Sequence, residues 1–226
     1  IQNITNMQLF KLKTTIHRFE SFGDFAKTFA LGENDLVITN EFLYEPYMKS
    51  CALPCRFIMQ EKYGLGEPDE MMNSMLNDVA NLRYTRVIAI GGGTVIDISK
   101  LFVLQGLKNV SEAFDRKISL IKEKQLVIIP TTCGTGSEVT NLSIAEIKSR
   151  HTKMGLADDT ILADDAVIIP ELLRGLPFKF YACSAIDALI HAIKSYVSPK
   201  ANPYTRIFSE AAWNIILDVF KEIAAK

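Results

Sequence analysis

Arg86-Val87-Ile88-Ala89-Ile90-Gly91-Gly92-Gly93-Thr94-Val95-Ile96-Asp97 is the stretch on which the fold turns. The run from Val87 to Ile90 is continuously apolar, as expected of a strand buried on both faces of a parallel sheet. Three glycines then break it, and a helix is predicted over about 95–105. Glycines at such a junction let the backbone turn tightly and approach a ligand. The first turn of the helix offers unbonded N–H groups that suit a phosphate or pyrophosphate. Thr94 is predicted to cap this helix, with Asp97 completing a Thr-x-x-Asp box. The stretch lacks both G-x-G-x-x-G and the Gly-Lys-Ser/Thr of a nucleotide-triphosphate loop, so a purely structural turn is the competing reading.

Leu126-Val127-Ile128-Ile129 repeats the buried-strand pattern and ends in Pro130-Thr131-Thr132-Cys133-Gly134-Thr135-Gly136-Ser137-Glu138. Two polar loops after two apolar strands predict a nucleotide crevice, because open α/β sheets bind ligands outside the carboxyl ends of their strands. The alternative for the threonines is turn capping. Further strands are predicted at 35–39, 56–59 and 166–169, a strand pair at 140–145 and 151–156, and helices at 41–50 and 69–81. The alternation indicates an open α/β sheet, with a domain boundary near residue 172. Beyond it the character changes, with helical candidates at 171–175, at 178–198 and after Pro203. The last helix ends in Lys221-Glu222-Ile223-Ala224-Ala225-Lys226 with an apolar face and no Gly or Pro stop, so the chain reads as cut short within that domain.

Composition bounds the functional classes. Over 226 residues, Lys+Arg 25 against Asp+Glu 26 leaves a formal net charge of -1, which gives no general reason to expect nucleic acid or an anionic membrane as partner. No run approaches the ~18 apolar residues of a membrane span, and Ile1–Asn6 lacks the basic start of a secretory signal. Cys51, Cys55, Cys133 and Cys183 are thinly spread and lack C-x2-C spacing, which reads as reduced thiols in a cytoplasmic protein.

Asp187-Ala188-Leu189-Ile190-His191 places a carboxylate and an imidazole four residues apart on one helix face. They could ligate a divalent metal together or form an ordinary intrahelical pair. Zinc or iron would need further protein ligands, and nothing local ties His17 or His151 to Asp187.

Taken in order, the motifs Gly91–Lys100, Pro130–Thr140 and Asp187–Ala192 resemble the iron-containing (group III) alcohol dehydrogenases. Residues 60–68, 131–141 and 197–204 are most similar to the branch of that family acting on 4-hydroxybutyrate. The resemblance implies an NAD-dependent, metal-dependent enzyme with its active site between a Rossmann-like dinucleotide-binding domain, residues 1–172 of this α/β chain, and an all-helical, metal-binding domain of which residues 173–226 are the beginning. Hydride would pass between nicotinamide and a small alcohol or aldehyde, here 4-hydroxybutyrate and succinate semialdehyde. It implies that Gly92, Gly93, Thr94 and Asp97 surround the pyrophosphate and nicotinamide side of NAD. Thr131, Thr132, Thr135 and Thr140 would line the adjoining wall, with Lys153 near a ribose. Asn40 falls where relatives often carry an Asp that favours NAD over NADP. Asp187 and His191 match two of four metal ligands, for Fe2+ or Zn2+, and are the implied catalytic pair. Lys194 stands where relatives often have an acidic residue and is a candidate anchor for a substrate carboxylate; Ile169-Pro170 replaces a frequent Asp-Pro. A small-molecule substrate and a homo-oligomer are the expected partners. Two other readings compete: a non-catalytic nucleotide-binding fragment, and a dehydroquinate-synthase-like lyase using metal and NAD. The latter needs a basic phosphate-binding cluster that the sequence does not display.

Overall fold

A computed structural model describes residues 9–225 of the chain. The Ile1–Asn6 opening and Lys226, on which two of the readings above depend, lie outside them. The described residues divide into two compact units: an α/β unit of residues 13–132 and 137–176, and a helical unit of residues 9–12, 133–136 and 177–225.

The α/β unit is built on six parallel strands: β1 (Thr15–Arg18), β2 (Asp35–Thr39), β3 (Arg56–Met59), β4 (Arg86–Gly91), β5 (Gln125–Pro130) and β8 (Asp165–Ile168). Their spatial order is β1-β8-β5-β4-β2-β3. Alternate side chains explain the apolar runs. Leu36, Ile38, Val87, Ala89, Leu126 and Ile128 enter one buried core, against α3 (Asp69–Val79), α4 (Gly93–Leu101) and α5 (Val110–Phe114). Val37, Ile88, Ile90, Val127, Ile129 and Val167 enter the other, with Phe22 and Phe25 of α1 (Phe22–Thr28) and with Leu43 and Met48. Both faces are covered at the centre of the sheet, so β2, β4 and β5 need no polar alternation. Each fully buried Leu, Ile or Val contributes roughly 1.5–3 kcal/mol over the exposed state.

Register is fixed electrostatically as well. Asp35 stands opposite Arg86 across the β2–β4 pair, and the guanidinium donates two 2.7 Å bonds to the nearly buried carboxylate. A bidentate fork of this kind tolerates no slip. A separate antiparallel hairpin pairs β6 (Leu142–Ile147) with β7 (Thr152–Ala157), and His151 adopts a left-handed φ of 48° in its turn. His17 also has a structural place: its Nε2 lies 2.8 Å from Asp165 Oδ1, across the paired strands β1 and β8.

Several sequence expectations change in detail. The predicted helix at 41–50 is α2 (Glu41–Leu43) followed by a wide π turn over Tyr44–Met48 and a tight turn over Lys49–Cys51. Pro46 has no N–H to continue an i→i−4 ladder. Helix α4 starts at Gly93 with Gly92 as its N-cap, so Thr94 lies inside the first turn and closes no box with Asp97. The extended Gly92 backbone, φ -80° and ψ -174°, begins the helix two residues earlier than Thr94 could. The helical candidate at 171–175 is only a short 3-10 turn over Pro170–Leu173.

In the helical unit, α6 (Phe178–Val197) packs on α7 (Pro203–Ala224). Asn202 caps α7 through a reciprocal box with Thr205, and Tyr196 meets Trp213 with ring centroids 4.9 Å apart. No helix among the described residues is long and apolar enough to cross a membrane.

Candidate functional site

The strand order locates the first candidate site. From β2 the chain moves outward to β3, then returns to the other side of β2 for β4, β5 and β8. The order therefore reverses between β2 and β4, and open α/β sheets bind ligands at such a switch point, beyond the carboxyl ends of the strands. The glycine turn ends β4 there.

Each glycine of that turn that the packing constrains has a reason. A Cβ on Gly91 would meet the Val95 side chain at 2.7 Å, so only glycine lets β4 feed so directly into α4. A Cβ on Gly92 would reach Thr132 Cγ2 at 3.5 Å. The Thr131 N–H donates to the Gly91 carbonyl at 3.0 Å, which joins the β5 loop to the glycine turn. Gly92, Gly93, Thr94, Thr131 and Thr132 are thus brought to one end of the sheet. The first-turn N–H groups of α4 are suited to an anion there.

Asp97 lies one turn into α4 and is nine-tenths buried. Its Oδ2 accepts from the Ile144 N–H at 3.1 Å, and its backbone carbonyl accepts from Ser143 Oγ at 2.8 Å. Its Oδ1 has no hydrogen-bond partner. Burial raises its pKa from 3.8 to about 6, against the Lys100 charge and the Ile144 N–H, which lower it. Lys100 is completely buried, with its Nζ 3.9 Å from Asp97 Oδ1, and donates to the Leu142 carbonyl at 2.6 Å and to Thr140 Oγ1 at 3.2 Å. Burial lowers its pKa to about 8, opposed by Asp97 and Glu138. Helix α4 is therefore stapled to the head of β6, and Thr140 is held by that staple. Burial also raises the Glu138 pKa.

Lys153 does not stand alone. Its Nζ donates to Glu67 Oε1, while Thr94 Oγ1 donates to Glu67 Oε2 at 3.2 Å. The Glu67 carboxylate holds the Lys153 ammonium above its usual range. Asn40, at the end of β2, donates from Nδ2 to Glu61 Oε2 at 2.9 Å and to Gln60 Oε1 at 3.3 Å. Glu61, Glu67 and Lys100 are site-forming residues that the sequence reading left without a role. All three lie inside quoted motifs, but their hydrogen-bond partners are 20 or more residues away in sequence, so only tertiary structure pairs them.

The second candidate site is in the helical unit. Asp187 Oδ1 and His191 Nε2 are 3.5 Å apart on α6, both about half exposed. Gly134 packs on this helix: a Cβ there would meet the Ser184 carbonyl at 3.0 Å and Asp187 Oδ2 at 3.2 Å. Cys133 Sγ and Ser184 Oγ are 3.2 Å apart beside it. Thr135, in the same loop, and Lys194 on α6 are exposed. The carboxylate and imidazole have the right chemistry for two positions in a divalent-metal shell. Among the described residues, however, no group of three or more His, Cys, Asp or Glu is gathered, so these two do not complete one.

The sequence profile of the family described as "Iron-containing alcohol dehydrogenase" matches residues 14–170, from the first strand to the end of the α/β sheet. The chain belongs to that family. Among curated relatives, 4-hydroxybutyrate dehydrogenase of Clostridium kluyveri is 48% identical over 221 residues, covering 97% of this chain and 60% of the relative. Long-chain-alcohol dehydrogenase 1 of Geobacillus thermodenitrificans is 36% identical over 139 residues, 59% of this chain and 35% of that one. Among solved structures, sulfoacetaldehyde reductase from Bifidobacterium kashiwanohense, in complex with NAD+, superposes with a TM-score of 0.80 at 20% identity, covering 92% of this chain and 58% of its own. NADH-dependent butanol dehydrogenase A from Thermotoga maritima gives 0.78 at 16% identity, covering 98% and 58%. The structural likenesses show that the chain has the family's α/β fold. The chain spans less than two thirds of the length of each of these relatives.

Proposed function

We propose that this family member belongs to an NAD- and metal-dependent dehydrogenase that interconverts 4-hydroxybutyrate and succinate semialdehyde in the cytoplasm. Residues up to 172 would form its dinucleotide-binding domain, and those from 173 part of a helical, metal-binding domain. The observation that carries the reading is the glycine turn at the sheet's switch point, with the buried Asp97 Oδ1, which accepts no hydrogen bond and has only the Lys100 ammonium near it, one helical turn behind. An acceptor without a partner costs roughly 1–3 kcal/mol, so a donor from a bound ligand is the natural compensation. The 48% identity to 4-hydroxybutyrate dehydrogenase supports the substrate.

In this reading the first-turn N–H groups of α4 and Thr94 hold the pyrophosphate. Asp97 orients the nicotinamide end, Thr131, Thr132, Thr135 and Thr140 line the cofactor wall, and Lys153 reaches a ribose hydroxyl. Asn40 lies at the other ribose. Lys100 fixes Thr140 by its staple to β6. Nicotinamide supplies the hydride chemistry when bound. Asp187 and His191 would supply two of the donors to Fe2+ or Zn2+, an ion that polarises a carbonyl oxygen as a Lewis acid when bound.

The test compares kcat/KM for succinate semialdehyde, butyraldehyde and a medium-chain aldehyde, each with NADH. The expected result is a clear preference for succinate semialdehyde, whose remote carboxylate can be paired in the productive pose alone. Equal or better use of both uncharged aldehydes would remove the substrate assignment and leave family membership standing.

A further inference from the structure

The end of β2 carries an amide, Asn40, where a carboxylate would be needed to turn away a phosphorylated ribose. The structure puts a carboxylate at that place from the neighbouring strand. Strands β2 and β3 are paired in parallel with Thr39 opposite Met59, so Asn40 and Gln60 leave the sheet side by side. Strands β2 and β4 pair Ile38 with Ala89, which brings Asn40 level with Gly91 two residues further on. Glycine turn, Asn40 and Gln60–Glu61 therefore stand in a row along the carboxyl edge of β4, β2 and β3.

Glu61 is fixed in this row by two donors. Asn40 Nδ2 binds its Oε2, and the N–H of Glu41, the first residue of α2, binds its Oε1. Gln60 is buried and donates to the Gly64 carbonyl at 2.9 Å, so its Oε1, which accepts from Asn40, is itself held still. Both Glu61 partners are neutral amides, and among the described residues no lysine or arginine pairs with its carboxylate. The negative charge is retained at the site. Each carboxylate oxygen also keeps a second acceptor position for a hydroxyl.

We propose that Glu61 is the specificity-determining residue that selects NAD over NADP, taking over from β3 the role that an acidic residue at the end of β2 would play. The proposal rests on the nucleotide-binding reading above. A dinucleotide whose pyrophosphate sits on the glycine turn of β4 lays its adenosine ribose over the end of β2. There a carboxylate accepts from the 2′-hydroxyl of NAD and meets the 2′-phosphate of NADP as a like charge. Asn40 acts as the clamp that orients Glu61.

Dissociation constants for NAD and NADP, measured by calorimetry on the parent and on Glu61→Gln, test this. The near-isosteric amide removes the charge, and the ratio Kd(NADP)/Kd(NAD) is expected to fall about tenfold, equivalent to about 1.4 kcal/mol. Adding Asn40→Asp to Glu61→Gln returns a carboxylate to β2 and is expected to restore the ratio, which a merely structural effect would not do. On the parent alone, raising ionic strength from about 0.01 to 1 M shortens the screening length from about 30 to 3 Å and should narrow the ratio. A ratio unmoved by both Glu61→Gln and salt overturns the role of Glu61 while NAD binding stands. Failure of the parent to bind either nucleotide overturns this proposal together with the reading beneath it.

Discussion

Strand β2 and helix α7 are both rich in apolar residues, and they meet different fates. All five residues of β2 are buried; of the 22 in α7, Ser209 alone is. Ile215 and Phe208 remain 65% and 58% exposed, while Ile38 and Ile88 are fully buried. The contrast separates two determinants that sequence patterns merge. Periodicity makes an amphipathic helix, but burial needs a second surface, and the α/β unit supplies one on each face of its sheet. The helical pair presents Ile186, Ile190, Ile193, Ile207 and Ile215 at 42–65% exposure.

The comparison can be broken by mutation. Ile88→Ala should cost about 2–5 kcal/mol in denaturant unfolding, because it opens a cavity in a core closed on all sides. Arg86→Ala should cost a comparable 3–5 kcal/mol, since it strands Asp35 without its bidentate partner. Losses under about 1 kcal/mol at both sites would mean that the α/β core is not closed as described.

A smaller effect concerns the buried pair on α4. Asp97 has its pKa raised to about 6 from 3.8, so its ionised form is penalised by folding: stability is lost as pH rises from about 4 to 6. Lys100 is lowered from 10.5 to about 8, so its penalty is full below pH 8 and is relieved between 8 and 10.5. Tm measured against pH should show the first limb in the parent and not in Asp97→Asn, and the second should vanish in Lys100→Met. Identical profiles in all three proteins would place neither group in a buried setting. The smallest effect is expected in the helical unit. Ile215→Ala should shift stability by less than about 0.5 kcal/mol. A cost of several kcal/mol would show that its side chain is covered in solution.

Much of the fold was legible because β4 and β5 are buried on both faces and therefore read as unbroken apolar runs. The edge strand β1, Thr-Ile-His-Arg, carries no such signal: Ile16 is 56% exposed and His17 is spoken for by Asp165. The five-residue α5 is too short to show a period. At the site, the glycines and threonines were visible as a turn and a loop, and Asp187 and His191 as one helix face. What periodicity could not show was that Thr94 serves Glu67 rather than the helix end, or that Asn40 is bound to Glu61. Those bonds join segments distant in sequence, and local chemistry at Thr94 pointed to a cap that the extended Gly92 had already supplied.

Whether the glycine turn at the switch point of the sheet is a dinucleotide site is tested most directly by calorimetric titration of NAD into the parent and Gly93→Val. In the proposed site a branched side chain at the first residue of α4 would stand where the pyrophosphate approaches the backbone, while helical dihedrals there remain open to valine. Saturable, one-to-one binding by the parent is expected, with a loss of at least about tenfold, 1.4 kcal/mol, in the variant. Equal NAD affinity in the two proteins, or no binding by the parent, would contradict it.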